Sequence, residues 1–338
     1  MRSNGRRGGE RGASSPGPSR DRAAREQPRV RAPGKLAAVN TDIATRAKLP
    51  ADGPNAAMIE HWNDVVGAGW VAGQEAIDAH LAPLGELAIE RAAPRPGERV
   101  LDVGCGCGAT ALALAERVGG AGQVIGVDVS LPMLARAEER ARLAGLRNVR
   151  FVNADAQTHR SEPAFDLVFS RFGVMFFRDF AAAFANLRSA LVPGGRIVFV
   201  CWRELERNDW MAVPMAAVRR HVEVPAPPKP GEPGPYGLAD AASVRGWLAE
   251  AGFAGIEIAP LHLELSVGGG AGLEGAADFL TSMGPVAAAL RGVDEAQRAP
   301  VRSAVRDALR PYQTDRGVLL GASAWLVSAL SPLRPAPR

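Results

Sequence analysis

A short apolar strand, a glycine-rich turn and a helix follow one another in VLDVGCGCGATALALA (100–115), and this unit most constrains the fold. The strand pattern ends near Val103, and the helical pattern begins near Ala109. Three glycines occupy the turn between them: Gly104, Gly106 and Gly108. Because glycine has no Cβ, its backbone can bend sharply and approach a ligand closely. The unit predicts the first strand-to-helix step of an open α/β sheet, with a ligand at the turn.

Strand and helix patterns alternate along the middle of the chain. Apolar runs predict further strands at 123–129, 148–154, 165–171 and 195–202, and helical spacing predicts helices at 109–118, 131–146 and 177–191. Continuous apolar strands between amphipathic helices indicate a parallel sheet that is covered on both faces. We therefore predict a doubly wound, Rossmann-like α/β fold with a mostly parallel, seven-stranded sheet.

The last third of the chain carries two predicted insertions on the substrate side of the sheet. They cover 203–239, which is rich in proline, and 268–312. A helix at 242–253 and a strand at 256–267 are predicted between them. The apolar run at 317–330 is interpreted as the last strand, with the helices of the second insertion before it; a buried helix is the alternative.

Positive charge is concentrated at the N-terminus. Residues 1–50 contain twelve Lys and Arg against four Asp and Glu, a net charge of +8. Because the whole chain carries +4, the other 288 residues sum to −4, which offers no basic face for a nucleic acid. We predict a disordered basic leader over 1–53, a helical lid segment over 54–95 and the main domain over 96–338. A natural start near Met58 and an ordinary N-terminal extension remain competing hypotheses.

The cysteines and the hydropathy pattern indicate the cellular environment in which the protein is expected to fold. Cys105 and Cys107 share one turn and Cys201 lies far away, so a disulfide framework is not expected. This usage favours a reducing, cytoplasmic environment. The sequence has neither an apolar run of about 18 residues nor a secretory signal pattern, so we expect no integral membrane association. With no further Cys or His near the C-x-C pair, we expect no metal site.

Three carboxylates follow three successive strands, and parallel strands present their carboxyl ends at one edge of the sheet. Asp102 ends the first strand, Asp128 ends the second and Asp155 follows the third. An acid beside a pyrophosphate is unfavourable, whereas a ligand with an ammonium group gains from it, so Asp102 favours an amino-acid-bearing nucleoside. Asp128 can reach ribose hydroxyls, and Asp155 can accept a hydrogen bond from an adenine amine. The three acids suit S-adenosylmethionine.

The chain resembles the class I S-adenosylmethionine-dependent methyltransferases, and among them the small-molecule group that includes the ubiquinone and menaquinone C-methyltransferases. The matching stretches are VLDVGCGCG (100–108), GVDVSLPML (126–134), NADA (153–156), FDLVFSRFGVMFF (165–177) and LRSALVPGGRIVFVCW (187–202). The resemblance is strong over about 97–202 and weak over 240–258. It implies cofactor contacts from Asp102, Gly104, Gly106, Gly108, Asp128, Val129, Met133, Asp155, Ala156 and Ser170. It also implies that Arg171 lies beside the transferred methyl group.

Several of these residues also have a plain structural interpretation. Asp102 can be a strand-end acid, Asp155 a turn cap, Met133 a helix core residue and Arg171 a surface charge. Asp166 opens the fourth strand at the end away from the cofactor, so we predict a structural role for it.

The resemblance predicts methyl transfer to a small molecule by in-line displacement, for which positioning of the acceptor supplies much of the acceleration. A general base is needed only if the acceptor loses a proton. The catalytic candidates are His61, beside Trp62 in the lid segment, and Arg171. Six aromatic residues are predicted to wall a pocket for a flat or lipophilic acceptor: Trp62, Trp70, Phe172, Phe176, Trp202 and Trp210.

Two other functions remain open from the residues alone. The spacing Gly104-x-Gly106-x-x-Ala109 satisfies a loose dinucleotide fingerprint, which is compatible with an NAD(P)-dependent oxidoreductase. That class is expected to carry a Tyr-x-x-x-Lys or similar pair, and neither Tyr236 nor Tyr312 has this spacing. A non-catalytic S-adenosylmethionine-binding module is the second alternative. The oligomeric state does not follow from the sequence.

Overall fold

The computed structural model of the protein describes residues 47–50, 52–161, 164–224, 226 and 228–333. Most of the leader predicted over residues 1–53 lies outside these described residues. Within the described ranges, no helix combines the length and the apolarity that crossing a bilayer requires.

The described chain forms one mixed sheet. Its strands are β1 (Arg99–Val103), β2 (Gln123–Asp128), β3 (Val149–Asn153), β4 (Phe165–Arg171), β5 (Leu191–Trp202), β6 (Ala254–Val267), β7 (Gln313–Thr314) and β8 (Gly317–Leu330). Their order is β3-β2-β1-β4-β5-β8-β6, and β7 pairs with β8. The first five strands pair in parallel, and β8 runs antiparallel between β5 and β6. The predicted mostly parallel sheet is confirmed, and the two-residue β7 adds to the seven strands predicted.

Helices connect the strands and cover the sheet. They are α1 (Ala56–Glu60), α2 (Gly67–Ala72), α3 (Gln74–Ala92), α4 (Ala109–Val118), α5 (Leu131–Leu143), α6 (Phe180–Ala190), α7 (Asp209–Val218), α8 (Ala241–Glu250), α9 (Gly272–Ser282), α10 (Gly284–Ala289) and α11 (Glu295–Leu309). A π-helix, His61–Val65, joins α1 to α2. Right-handed crossovers put α4 and α5 on one face of the sheet and α6 on the other.

The core lies on both faces of the central strands. Leu167 and Phe169 of β4 and Phe199 of β5 are fully buried. Ile77 and Leu84 of α3 are fully buried as well, and this helix packs against β4 and β5. Continuous burial explains why these strands read as uninterrupted apolar runs in the sequence. Within the predicted lid segment 54–95, helix α3 therefore packs onto the core of the domain.

The strand order reverses between β1 and β4. From β1 the chain proceeds to β2 and β3, and then returns to the other side of β1 as β4. In such sheets a crevice opens at the carboxyl ends of the two strands beside the reversal. Asp102 and Val103 end β1, and Ser170 and Arg171 end β4. The predicted site residues at the ends of β1 and β4 therefore meet at the same edge of the sheet.

The C-terminal third follows the predicted order of elements and contains one helix that the sequence patterns did not reveal. Residues 324–330 of β8 pair with residues 196–202 of β5, so the alternative of a buried helix is wrong. Helices α9, α10 and α11 lie before it, as the predicted insertion requires. The segment 203–239 was predicted only as a proline-rich excursion, yet it contains α7. Pro214 lies inside this helix, where proline is unfavourable, and this obscured the helical signal.

Helix α6 shows how a capping residue moves a predicted boundary. The pattern predicted a helix from residue 177, but α6 begins at Phe180. The side chain of Asp179 accepts a hydrogen bond from the backbone N–H of Ala182 at 2.9 Å, which stabilises a start at this point. The helix ends at Ala190 because Leu191 already belongs to β5.

Candidate active site

The glycine turn after β1 forms one edge of the crevice. Gly104 and Gly106 have φ angles of 67° and 54°, which side-chain-bearing residues rarely adopt. A Cβ on Gly104 would lie 2.5 Å from the Cα of Gly173, and one on Gly106 would lie 2.8 Å from the Cε of Met133. Both glycines also line a cavity. Because they have no Cβ, their backbone packs closely on these neighbours and still faces the cavity. Gly108 is not among the lining residues; it precedes α4 and packs closely against α5.

Asp102, which precedes this turn, is fully buried and only half satisfied. Its Oδ2 accepts a hydrogen bond from the Thr110 hydroxyl at 2.7 Å. Its Oδ1 has no hydrogen-bond partner among the described residues. Burial raises the pKa of the Asp102 carboxyl to about 7, while the Thr110 bond and Arg171 act in the opposite direction. An unpartnered buried oxygen costs free energy. Asp102 itself is not among the residues that line the cavity, whereas Thr110, its hydrogen-bond donor, is.

Asp128, at the end of β2, is oriented by the turn itself. One carboxylate oxygen accepts from the N–H of Gly106 at 2.8 Å, and the other accepts from the N–H of Ser130 at 2.9 Å. Burial raises the pKa of Asp128 despite these two bonds. The side chain lines the cavity together with Val129 and Met133. The geometry brings these three predicted cofactor residues together at the glycine turn.

Asp155, after β3, is tied to the N-terminal segment. The Asn55 amide nitrogen donates to its Oδ1 at 3.0 Å, and the Gln157 N–H donates to the same oxygen at 2.9 Å. The side-chain oxygen Oδ1 of Asn55 in turn accepts from the backbone N–H of Arg178 at 2.9 Å. Asp155 and Ala156 line the cavity, as does Asn55, which the sequence analysis missed. An asparagine in a short N-terminal stretch carries no sequence signal for such a contact.

The π-helix and its flanks are joined to the loop after β2. The Ser130 hydroxyl donates to the carbonyl of Trp62 at 2.8 Å. Asn63 donates to the carbonyl of Val129 at 2.9 Å and accepts from the N–H of Leu131 at 3.0 Å. Met58, His61, Trp62 and Trp70 also line the cavity. Residues from the 55–72 segment therefore line the cavity, as do Asp78 and His80 of α3.

Arg171, after β4, is held by an ion pair. Its Nη2 lies 3.2 Å from Oδ1 of Asp78, whose Oδ2 lies 3.0 Å from Nη1 of Arg140. The Arg171 side chain is 13% exposed and lines the cavity with Asp78, so it is not the surface charge of the alternative interpretation. Asp78 and Arg171 are 93 residues apart, and the sequence analysis did not anticipate the pair.

Ser170 is buried and supports the backbone after β4. Its hydroxyl donates to the Val103 carbonyl at 2.8 Å and accepts from the N–H groups of Gly173 and Val174 at 3.1 and 3.2 Å. It is not among the residues that line the cavity. Between these groups, Phe172 adopts a φ of 64°, which is unusual for a residue with a side chain. Ser170 thus holds a strained turn in the position where the sequence predicted a cofactor contact.

The cavity beside these residues has a volume of about 690 Å³. All six aromatic residues predicted to wall a pocket line it: Trp62, Trp70, Phe172, Phe176, Trp202 and Trp210. Phe172 stacks on Trp202 with ring centroids 4.1 Å apart, and Trp62 meets Phe176 edge to face at 5.2 Å. The arrangement can enclose a flat apolar molecule next to the glycine turn.

His61 lies in this cavity wall and is partly buried. Burial and, to a smaller extent, the cation of Arg291 lower the pKa of its imidazole. The ring is therefore more readily neutral, the form that can accept a proton. Asp166, in contrast, lies at the opposite end of β4, where it accepts from the N–H of Arg99 at 2.8 Å.

Part of the chain that carries this site is similar to a known domain family. Residues 100–195 match the model of the methyltransferase domain family. The YcgJ protein of Bacillus subtilis has a similar fold, with a TM-score of 0.50 and 18% identity over 75% of this chain and 100% of that chain.

Two curated relatives are similar in sequence to part of this chain. Aklanonic acid methyltransferase DauC from a Streptomyces strain is 41% identical over 119 residues, covering 35% of this chain and 54% of the relative. Demethylmenaquinone methyltransferase from Thermus thermophilus is 42% identical over 114 residues, covering 33% of this chain and 49% of the relative. The chain thus spans about half the length of these relatives.

Proposed function

We propose that the protein transfers a methyl group from S-adenosylmethionine to a small, flat and largely apolar acceptor. The observation that carries this proposal is the unpartnered Oδ1 of Asp102, buried beside a glycine turn that opens on an aromatic cavity. The methyltransferase domain match supports the activity. The names of the relatives, which refer to aklanonic acid and demethylmenaquinone, support a small-molecule acceptor.

The residues present fit this cofactor. Asp102 would satisfy its free oxygen with the ammonium group, and Gly104 and Gly106 would lie against the methionine end with Gly108 completing the turn. Asp128 would bind the ribose hydroxyls and Asp155 the adenine amine. Val129, Met133 and Ala156 would pack around the adenine, and Ser170 would act by holding the turn after β4. When bound, the cofactor supplies an electrophilic methyl group on a sulfonium.

The protein's own contribution would be to position the acceptor and to exclude water. The aromatic walls fix a flat ring system, which brings its nucleophilic atom into line for displacement. His61, kept neutral by its surroundings, would take a proton from an acceptor that must lose one. Arg171, oriented by Asp78, would fix an electronegative group of the acceptor. Residues 55–72 would serve as a lid over both molecules.

The setting proposed is a reducing one such as the cytoplasm, supported by Cys105, Cys107 and Cys201, which are buried and free. The charge of −4 outside residues 1–50 supports a small-molecule partner over a nucleic acid. We also propose that residues 96–338 form the catalytic domain, with residues 203–239 and 268–312 on its substrate side.

Calorimetry with S-adenosylhomocysteine and with NADH tests the cofactor. We expect S-adenosylhomocysteine to bind; binding of NADH alone would favour the oxidoreductase alternative and contradict the proposal. A labelled-methyl screen over phenols, quinones, amines and thiols, read by product mass, tests the reaction. Cofactor binding without any labelled product would instead favour the non-catalytic binding module.

A further inference from the structure

His80 is a buried histidine of α3 that the proposed reaction leaves without a role. Its side chain lines the cavity, and the residue is only 4% exposed. Its Nδ1 lies 2.9 Å from the carbonyl oxygen of Ser266. A carbonyl can only accept, so Nδ1 carries the hydrogen and Nε2 carries a lone pair in the neutral ring. Burial lowers the pKa of His80 to about 4, so the ring is neutral at pH 7.

The second ring nitrogen of His80 and the indole nitrogen of Trp210 both lack hydrogen-bond partners among the residues that the structure describes. His80 Nε2 has no hydrogen-bond partner within the described part of the chain, and the same holds for Nε1 of Trp210, a residue that is 8% exposed. The two rings are in edge-to-face contact, with centroids 4.8 Å apart. Nε2 can only accept a hydrogen bond, and the indole N–H can only donate one. A buried acceptor and a buried donor thus belong to two contacting rings, and both residues line the cavity.

Both groups lie at the end of an aromatic row that starts at the carboxyl end of β4. Phe172 stacks on Trp202 at 4.1 Å, Trp202 contacts Trp210 at 5.2 Å, and His80 contacts Phe279 at 5.2 Å. The surrounding wall is apolar, so an unpaired polar atom there costs more than in water. A ligand group that pairs with both atoms removes this cost.

We propose that His80 Nε2 and Trp210 Nε1 form a hydroxyl-recognition subsite for the acceptor. A hydroxyl is the simplest group that both donates to a lone pair and accepts from an N–H. The acceptor class is therefore a flat apolar molecule that bears a phenolic or enolic hydroxyl at the end of the aromatic row. The substrate role of the subsite rests on the proposed function, whereas the recognition of a hydroxyl does not.

Equilibrium dialysis of three probes tests the subsite without turnover. 2-Naphthol can pair with both groups, 2-methoxynaphthalene can only accept from Trp210, and naphthalene can do neither. We expect wild-type protein to bind 2-naphthol about tenfold more tightly than 2-methoxynaphthalene, and the ether several-fold more tightly than naphthalene. Equal affinities, or no measurable binding of any probe, would overturn the proposal.

Two variants separate the contributions of the two groups. His80→Asn keeps an N–H donor for the Ser266 carbonyl, but its shorter side chain leaves no acceptor at the position of Nε2. The variant therefore closes the gap between naphthol and ether and retains the second gap. His80→Gln restores an acceptor and part of the first gap. Trp210→Phe closes the gap between ether and naphthalene only. His221→Asn, at an exposed position outside the cavity lining, leaves both gaps intact.

Survival of the first gap in folded His80→Asn would contradict the assignment. A melting curve shows whether this variant folds. If it does not, the probe affinities of the wild type and of Trp210→Phe still test the subsite. S-adenosylhomocysteine affinity is measured on the same samples. Cofactor binding without hydroxyl preference rejects the subsite alone, and hydroxyl preference without cofactor binding rejects methyl transfer alone.

Discussion

The amide of Asn55 connects the N-terminal segment to the end of β3 by donating to Asp155 at 3.0 Å, while its oxygen accepts from the Arg178 N–H. Both ends of a buried side chain are thus paired across the cavity edge. The contact places a predicted cofactor acid and the covering segment in one hydrogen-bonded unit. Changes at the lid are therefore expected to reach the cofactor end of the site.

Asn55→Ala should loosen this covering segment. Loss of two buried hydrogen bonds is expected to lower the free energy of unfolding by about 1–3 kcal/mol and to speed amide exchange over residues 55–66. Hydrogen-exchange mass spectrometry measures the local effect. Asn148→Ala is the control, because Asn148 donates to the carbonyls of Ala115 and Gly119 away from the lid. Similar exchange over 55–66 in both variants would count against the contact.

Asp102→Asn should change the pH dependence of stability. The folded pKa of about 7 lies above the unfolded value of 3.8, so the folded state binds more protons between these values. The free energy of unfolding of the wild type therefore falls as pH rises from about 4 to 7, by a few kcal/mol relative to the amide variant. Chemical denaturation of both proteins at pH 4.5 and 7.5 measures the difference. Parallel pH profiles would show that the carboxyl is not perturbed.

The same substitution should weaken cofactor binding even where it stabilises the free protein. Removing the negative charge deprives an ammonium group of its partner, and we expect a loss of about tenfold or more in S-adenosylhomocysteine affinity by calorimetry. A variant that is more stable at pH 7.5 and still binds as tightly as the wild type would refute the role assigned to Asp102.

Asp128→Ala should weaken the binding free energy of S-adenosylhomocysteine by about 1.5–3 kcal/mol. This is the expected cost of losing a carboxylate that accepts hydrogen bonds from both ribose hydroxyls. Asp166→Ala provides the matched control. Asp166 also accepts a backbone N–H at 2.8 Å, but at the end of β4 away from the cavity. Unchanged affinity in Asp128→Ala, or an equal loss in both variants, would mean that the carboxylate acts only through the fold.

Arg291→Met should raise the pKa of His61. The nearby cation opposes protonation of the imidazole, and its removal leaves burial as the main cause of the lowered pKa. NMR titration of ring-labelled histidine gives this pKa directly, and the acid limb of any pH–rate profile should move to higher pH. Arg298→Met, seven residues further along, should leave the titration unchanged. A shift to lower pH in Arg291→Met would reverse the assigned sign.

The sequence was sufficient for the sheet because its signals are local. The run at 317–330 alternates little and is too apolar for a surface element, and it forms β8 between two strands as predicted. Glycines in a turn and acids at strand ends are also local signals, since a parallel sheet brings its carboxyl ends together. Phe172 and Trp202, at the ends of β4 and β5, converge for the same reason.

The contacts that complete the site were not predictable, because they join distant parts of the chain. Asn55 and Asp155 are 100 residues apart, and His80 and Ser266 are 186 residues apart. Neither pair belongs to a motif, and each depends on how α3 and the segment before it pack onto the sheet. Ser170 illustrates the converse case, since its position suggested a cofactor contact and its hydroxyl is used by the backbone.

The backbone conformation of Phe172 links the shape of the cavity to the conformational stability of the chain. A residue with a side chain at a φ of 64° costs roughly 1 kcal/mol or more, and glycine would relieve that cost. Glycine would also delete the ring that stacks on Trp202. A glycine here would therefore stabilise the backbone only at the expense of an aromatic ring in the cavity wall. Under the proposed function, backbone stability and the shape of the acceptor pocket would depend on this same residue.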